Sequence, residues 1–242
     1  MNDNQAEQSL RCFITVPFSC SYLEQREAQN LIVDQDHPLN NQLHANLLNI
    51  GFRRSGGHLY RPQCEGCKSC VSLRIPTHIF KPNRNQKRVW KLNQDLKHHR
   101  ANTEYNSEHF ELYKRYIEGR HPGSSMQNPS EDEYLTFLTS PNITTHFHEF
   151  RLDGKLIAVA ATDRTPQGLS AVYTFYDPEL HARSLGTYAI LWQIYLTQRL
   201  KLPWLYLGYW VKECEKMRYK NKFQPCEGYA DGQWQDIAKL SK

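Results

Sequence analysis

The chain of 242 residues has no low-complexity tract, and its longest apolar stretches, such as residues 156–161, are short. A bilayer span needs roughly 18–20 such residues. No membrane-spanning helix is therefore expected. The N-terminus, Met1-Asn-Asp-Asn-Gln5, has no basic segment leading into an apolar one, so no secretory signal is read there and a cytoplasmic protein is expected. Cysteine is scarce: seven residues, an odd number, three of them clustered. That usage fits a reducing compartment and thiol or metal chemistry better than a disulfide framework. A surplus of one charge is also slight, with 30 Lys+Arg against 25 Asp+Glu giving +5, which excludes a histone-like polycation. Apolar residues are not lacking. At 39% hydrophobic and 12% aromatic, the chain can build one or two cores and is not a disordered segment.

The mean charge conceals an asymmetry. Residues 51–100 carry 12 basic and 2 acidic side chains, between acidic blocks with net charges of −4 over 1–50 and −5 over 101–150. A patch of this size attracts a polyanion such as RNA at long range. The plainer reading is a solvated basic face. Arg53, Arg54, Arg61, Arg74, Arg84 and Arg88 among them are arginines, suited to bidentate phosphate or carboxylate contacts.

The hydrophobic pattern changes near residue 105, so a smaller basic, cysteine-bearing α+β domain is expected over 1–105 and a mixed-sheet domain with flanking helices over 106–242. In the first, residues 41–50 read as a helix stopped at Gly51, residues 58–61 and 71–75 as strands, and residues 83–96 as a helix through Val89, Leu92 and Leu96. In the second, residues 107–119 form a helix. Ser130-Glu-Asp-Glu133 is a capping box opening another through Leu138. Strands over 144–152 and 155–163 flank the hairpin signal Asp153-Gly154, and a third covers 170–176. A helix over 186–200, a strand over 204–209 and a basic helix from about 213 to 222 complete the order.

Two segments carry chemistry. Arg183-Ser-Leu-Gly186-Thr-Tyr188 lies between strand and helix, where free backbone N–H groups and the helix dipole cradle an anion. It is similar to the coenzyme A pyrophosphate loop of GNAT acetyltransferases, except that Tyr188 stands where Gly or Ala is usual; a different acyl donor is therefore admitted. Cys64-Glu-Gly-Cys67-Lys-Ser-Cys70 spaces three thiols so that they can converge on zinc or an iron–sulfur cluster. Cys20 is the first choice for a fourth ligand and His58 the second. The plain alternative is three reduced cysteines in a small core.

Longer motifs carry a resemblance. Gly51-Phe-Arg-Arg-Ser-Gly56, Tyr60-Arg-Pro62, the triple-cysteine run, Leu73-Arg74 and Phe80-Lys-Pro-Asn-Arg84-Asn-Gln-Lys-Arg88 resemble the N-terminal domain of arginyl-tRNA–protein transferases. Arg120-His121, Glu149-Phe150-Arg151, residues 168–178, residues 183–188, Tyr206-Leu-Gly-Tyr-Trp210, Lys216-Met217 and Tyr219-Lys220 resemble the C-terminal, GNAT-like domain. The compact length and cysteine run are similar to the bacterial leucyltransferase branch. The resemblance implies transfer of leucine from leucyl-tRNA to proteins beginning with Asp or Glu, marking them for N-degron degradation. No cofactor is required for transfer, and neither a membrane nor DNA is a partner.

Such a reaction is aminolysis of an aminoacyl ester, so the protein must position two substrates, deprotonate an ammonium and stabilise an oxyanion. Arg74 and Arg54 are candidates for the acceptor carboxylate, with tRNA phosphate as their alternative ligand. Arg84, Lys87, Arg88 and Lys91 form one basic stripe for tRNA; Lys216 and Lys220, with Arg218 and Lys222, form another, and Arg183 with Gly186 meets the acceptor end. Tyr173, Phe175, Tyr176, Leu207 and Trp210 are the expected walls of the aminoacyl pocket, ordinary packing being the alternative for each. Asp177, Glu149 and Tyr219 are the candidate general bases. Three rival activities stay open: arginyl transfer to the same acceptors, a CoA-dependent acetyltransferase, and a non-enzymatic RNA-binding metal module.

Overall fold

A computed structural model describes residues 10–123 and 126–240. The chain begins with β1 (Cys12–Ile14), β2 (Phe18–Ser19), β3 (Glu27–Ala28) and β4 (Asn30–Val33), then α1 (Asn41–Asn49), β5 (Arg53–Ser55) and β6 (His58–Pro62). Strands β1, β4, β6 and β5 form a four-stranded sheet in that order, while β2 and β3 pair as a separate ribbon. Helix α1 starts where Asn40 Oδ1 accepts from Leu43 N at 2.8 Å. It ends at Gly51, whose φ of 87° is the left-handed backbone that favours glycine. Val33, Leu47, Phe52, Leu59 and Ile143 form the small core beneath this sheet.

The rest of the chain builds one large sheet. Its elements are β7 (Val71–Pro76), α2 (Arg84–Leu92), β8 (Lys97–Ala101), α3 (Ser107–Arg120), α4 (Glu131–Leu138), β9 (Thr145–Leu152), β10 (Lys155–Thr165) and β11 (Gly168–Tyr176). After them come α5 (Leu185–Arg199), β12 (Trp204–Trp210), α6 (Glu215–Arg218), β13 (Glu227–Ala230), β14 (Gln233–Asp236) and α7 (Ile237–Leu240). The eight strands lie in the order β14-β13-β7-β12-β11-β10-β9-β8. Helices α2 and α5 pack with Phe150, Ile157, Leu169 and Leu205 in one core, and α3 and α4 pack with Phe147, Val159 and Phe175 in a second. This is the expected mixed α+β architecture with flanking helices and a smaller N-terminal sheet.

Local signals act as read. Ser130 and Glu133 close the capping box of α4, and Asp153 (φ 48°) with Gly154 (φ 84°) turns the β9–β10 hairpin. Three expectations change. The helix expected through Leu96 ends at Leu92, because Asn93 turns its side-chain amide onto the Val89 and Arg183 carbonyls, both at 2.9 Å. The basic helix expected over 213–222 divides into α6 and a 3-10 turn, Tyr219–Lys222. A division at residue 105 does not match the sheet: β7 and β8 precede it in sequence yet belong to the large sheet, while β13 and β14 extend that sheet beyond β7.

Candidate active site

The large sheet contains one parallel pairing, and it is short. β11 and β12 pair from Gly168↔Trp204 to Ser170↔Tyr206, although β11 runs on to Tyr176 and β12 to Trp210. Close approach is needed at the start of this ladder: a Cβ on Gly168 would stand 2.4 Å from the Trp204 carbonyl oxygen. Beyond Ser170, β11 keeps β10 as its partner and β12 keeps β7, so the two strands part within the sheet.

Tyrosines gather at this parting. Tyr116 from α3 lies 4.9 Å from Tyr176 and 6.1 Å from Tyr173, ring to ring, and 5.6 Å from His121 at the end of α3. The first residues of α5 approach from the side, with a Cβ built on Gly186 only 3.2 Å from the Tyr176 ring. Tyr219 completes the group, near enough to Tyr176 for that hydroxyl to disfavour its ionisation. Desolvation of its hydroxyl, on a residue otherwise 42% exposed, pushes Tyr219 up to about 12, and burial holds Tyr173 well above the ordinary tyrosine value, so both stay protonated. Such hydroxyls donate hydrogen bonds to a developing oxyanion but do not take a proton at neutral pH. This corrects the expectation of Tyr219 as a base.

The other expected bases are also committed. Asp177 caps the turn after β11 by accepting from Glu179 N at 3.1 Å, and its buried carboxylate meets Arg115 at 3.3 Å and Lys155 at 3.4 Å. Desolvation raises its pKa, but the Glu179 amide, Arg115 and Lys155 together bring it below the ordinary aspartate value. Glu149 is held at 2.7 Å by both His109 and Arg151. Each is an anchored anion, Asp177 with three cationic or donor partners and Glu149 with two. Asp177→Asn is therefore expected to lower stability by about 1–3 kcal/mol while saturating transfer rates stay within threefold, read by urea unfolding beside single-turnover assays. Because the folded pKa is depressed, this contribution is complete above about pH 3.9 and is lost as pH falls through the lower folded value. A large rate loss with stability intact would restore Asp177 as the base.

The expected pocket walls separate. Tyr173 and Tyr176 flank the parting, whereas Phe175 is fully buried in the core under α3, and Leu207 and Trp210 lie in the core under α5. Tyr188 packs inward against Trp90 at 5.6 Å and Phe150 at 5.4 Å, so its side chain belongs to the core beside α2. Arg183 is held by Asp95 through two bonds of 3.0 and 2.8 Å.

The expected acceptor arginines are both paired elsewhere. Arg54 grips Asp163 with bonds of 2.6 and 2.8 Å, and its remaining donors reach the Gly56 and Leu138 carbonyls at 2.9 Å. Arg74 binds Glu227 at 2.7 Å and stacks 3.6 Å from Trp204 and 4.2 Å from Trp234. Neither lines the cysteine cavity.

That cavity, of about 370 Å³, brings together Cys20, Cys64, Cys67 and Cys70 with His58, Tyr22, Tyr60 and Arg26. The backbone and hydroxyl of Ser69, followed by Arg26, draw the Cys67 thiol below its ordinary value, against the effect of burial. Burial and the neighbouring thiols push Cys70 up to about 12. A set of four thiols is chemically suited to zinc or an iron–sulfur cluster, yet among the described residues no three His, Cys, Asp or Glu side chains are gathered closely enough to hold a metal ion. Arg26 is the cation the linear reading missed. It stands alone between β2 and β3, and only the fold of that ribbon carries it to the cysteines.

On the other side, Arg84, Lys87, Arg88 and Lys91 are all exposed along α2, and among the described residues none of them is in an ion pair. Asn93, at the end of this helix, binds the Arg183 carbonyl and so joins the stripe to the loop before α5. Lys216 is also exposed. Lys220 is not on a surface stripe: it is half-buried and donates to the Tyr209 carbonyl at 2.8 Å.

Comparison with known proteins adds a second kind of observation. "Aspartate/glutamate leucyltransferase" of Pseudomonas fluorescens is 50% identical over 225 residues, covering 93% of this chain and 96% of that protein. The protein of the same name from Pseudomonas aeruginosa is 49% identical over the same length and shares. Among solved structures, L-PGS from Bacillus licheniformis overlaps 59% of this chain and 46% of its own at a TM-score of 0.46 and 9% identity. No helix among the described residues is long and apolar enough to cross a membrane. The family descriptions "Arginine-tRNA-protein transferase, N terminus" and "C terminus" match residues 18–88 and 108–230, and the chain belongs to this family of aminoacyl-transferring enzymes.

Proposed function

We propose that the protein transfers leucine from leucyl-tRNA to the α-amino group of proteins beginning with Asp or Glu. What carries this reading is the similarity to leucyltransferases over 93% of the chain. The physical arrangement supports it. The exposed cations of α2 offer a path for the acceptor-stem phosphates toward the loop before α5, and the tyrosines at the parting of β11 and β12 offer stacking faces for the unpaired 3′ end. Arg26, beside the cysteines, is the cation available to the acceptor's first side chain. The cytoplasm, where charged tRNA is abundant, is the compartment this reaction requires.

Leucine is favoured over arginine by the carboxylates. An arginyl side chain needs an anionic partner; Asp177, just after β11, and Glu149, on β9, are already paired with cations. If a zinc ion or iron–sulfur cluster is bound, Cys20, Cys64, Cys67 and Cys70 would hold it, and it would tie the β2–β3 ribbon to the loop before β7. None of the transfer steps is assigned to it.

The test is transfer from tRNA charged separately with labelled leucine, arginine or phenylalanine to peptides starting with Asp, Glu, Arg or Ala. Product is expected only from leucyl-tRNA with Asp and Glu peptides. Absence of all transfer beside active controls would sink the reading, and transfer from arginyl-tRNA alone would replace the donor.

A further inference from the structure

Lys220 is a half-buried cation to which the arrangement above gives no role. It follows Tyr219 in the 3-10 turn that runs against β12. The pairing of β12 with β7 slips between Tyr206 and Gly208, and Gly208 has φ 79°. Gly208 supplies the left-handed backbone of this bulge, and Lys220 Nζ lies against it, 3.6 Å from where a Cβ would stand, while donating to the Tyr209 carbonyl at 2.8 Å. Among the described residues no carboxylate pairs with it. The charged and titratable groups that face it are the Arg53 guanidinium from β5 and the Cys214 thiol ahead of α6.

Its position relates the two chambers. Tyr209, whose carbonyl Lys220 holds, packs its ring 5.7 Å from that of Tyr60, which lines the cysteine cavity, and donates its hydroxyl to the Tyr60 carbonyl at 3.0 Å. Tyr219, the preceding residue, stands near enough to Tyr176, Tyr173 and Tyr116, at the parting of β11 and β12, for their hydroxyls to disfavour one another's ionisation. Lys220 thus lies between the cavity offered to the acceptor and the cleft offered to the aminoacyl end. Desolvation, and then Arg53, pull its pKa down to about 8. A free α-amino group titrates at about 7.7–8.0, so a proton moves from one to the other at little free-energy cost.

We infer that Lys220 is the proton acceptor for the incoming α-ammonium, a role that rests on the aminoacyl-transfer reading above. The neutral ε-amine takes one proton from the acceptor's ammonium. The freed lone pair attacks the ester carbonyl carbon, and a C–N bond forms. As the tetrahedral adduct collapses, the C–O bond to the ribose breaks and the ribose oxygen leaves with the second nitrogen proton. The amide keeps the third, and Lys220 releases its proton to solvent.

Lys220→Arg tests this, because a guanidinium preserves the charge and a donor for the Tyr209 carbonyl but does not deprotonate in proteins. Single-turnover transfer from labelled leucyl-tRNA to an Asp peptide would be followed from pH 6.5 to 9 with both substrates saturating. A loss of about 100-fold is expected at pH 7, shrinking to less than tenfold by pH 9, where the acceptor amine has lost its proton unaided. Affinity for tRNA should stay within threefold. A pH-independent loss, as from a merely structural role, or an undiminished rate would overturn the inference. Should the variant fail to fold, the wild-type profile decides: the rate should level off near pH 8, and a rise continuing unbent to pH 9 would refute the assignment. Wild-type protein with no transfer at any pH would refute the reading on which the inference rests, and not Lys220 alone.

Discussion

Replacing Arg84, Lys87, Arg88 and Lys91 together by alanine is expected to weaken tRNA binding by two to three orders of magnitude at about 0.1 M salt and to flatten its salt dependence. Each phosphate contact contributes about 0.9 to the slope of log affinity against log salt for a duplex. Four contacts therefore lower the slope by about 3.6, and the deficit should fade toward 1 M salt. All four side chains are exposed on α2, whose start is held by the Asn83–Gln86 capping box and whose buried face is Gln86 and Val89. Folding should hardly change. Filter binding across a salt series, with thermal melting as the control, separates the two interpretations of this helix. If it is only a solvated face, the slope will change by less than 1.

A comparably large effect, of another kind, is expected at Arg54. Its side chain is 1% exposed and that of Asp163 0%, and Thr145 Oγ1 donates a further bond of 2.7 Å to the same carboxylate. Removing one member of such a pair leaves a buried charge uncompensated, at a cost of about 3–5 kcal/mol. Total stability is of the order of 5–15 kcal/mol, so Arg54→Ala should unfold at far lower urea than wild type, or not accumulate at all. Arg54→Met with Asp163→Leu, which removes both charges, should recover much of the loss. If Arg54 instead received the acceptor's carboxylate, the single variant would keep its stability and raise the KM for the peptide. Comparing urea midpoints with peptide KM tells these apart.

The pair also shows where a linear reading stops. Arg54 and Arg74 look alike in sequence, as basic residues near the cysteines. Their partners lie 109 and 153 residues away, and only the packing of β5 against β10, and of β7 against β13, shows that both arginines are already engaged. Phe175, Leu207 and Trp210 differ from Tyr173 and Tyr176 for the same reason: Leu207 and Trp210 face the other core, and Phe175, on the same face as Tyr173, lies fully buried among α3 and α4 side chains, a depth set by tertiary packing. Lys220 read as one of a run of cations, because nothing local reveals that Gly208 and the Tyr209 carbonyl enclose it. By contrast, the start of α4 and the β9–β10 hairpin were legible, since Ser130 with Glu133 and Asp153 with Gly154 act within a few residues of themselves.

By itself, then, the sequence determined what depends on neighbours along the chain: helix caps, turns, the period of each apolar face, the basic stripe of α2 and the close spacing of Cys64, Cys67 and Cys70. It also carried enough long motifs to place the chain in its family. Tertiary structure alone decided which charges are free. Burial makes an unpaired ion costly, so the fold pairs Arg54, Arg74, Asp177 and Glu149, leaves the α2 cations to solvent, and holds Lys220 without a carboxylate. That sorting depends on contacts between separate elements, 109 residues apart for Arg54 and 153 for Arg74, which no local pattern records.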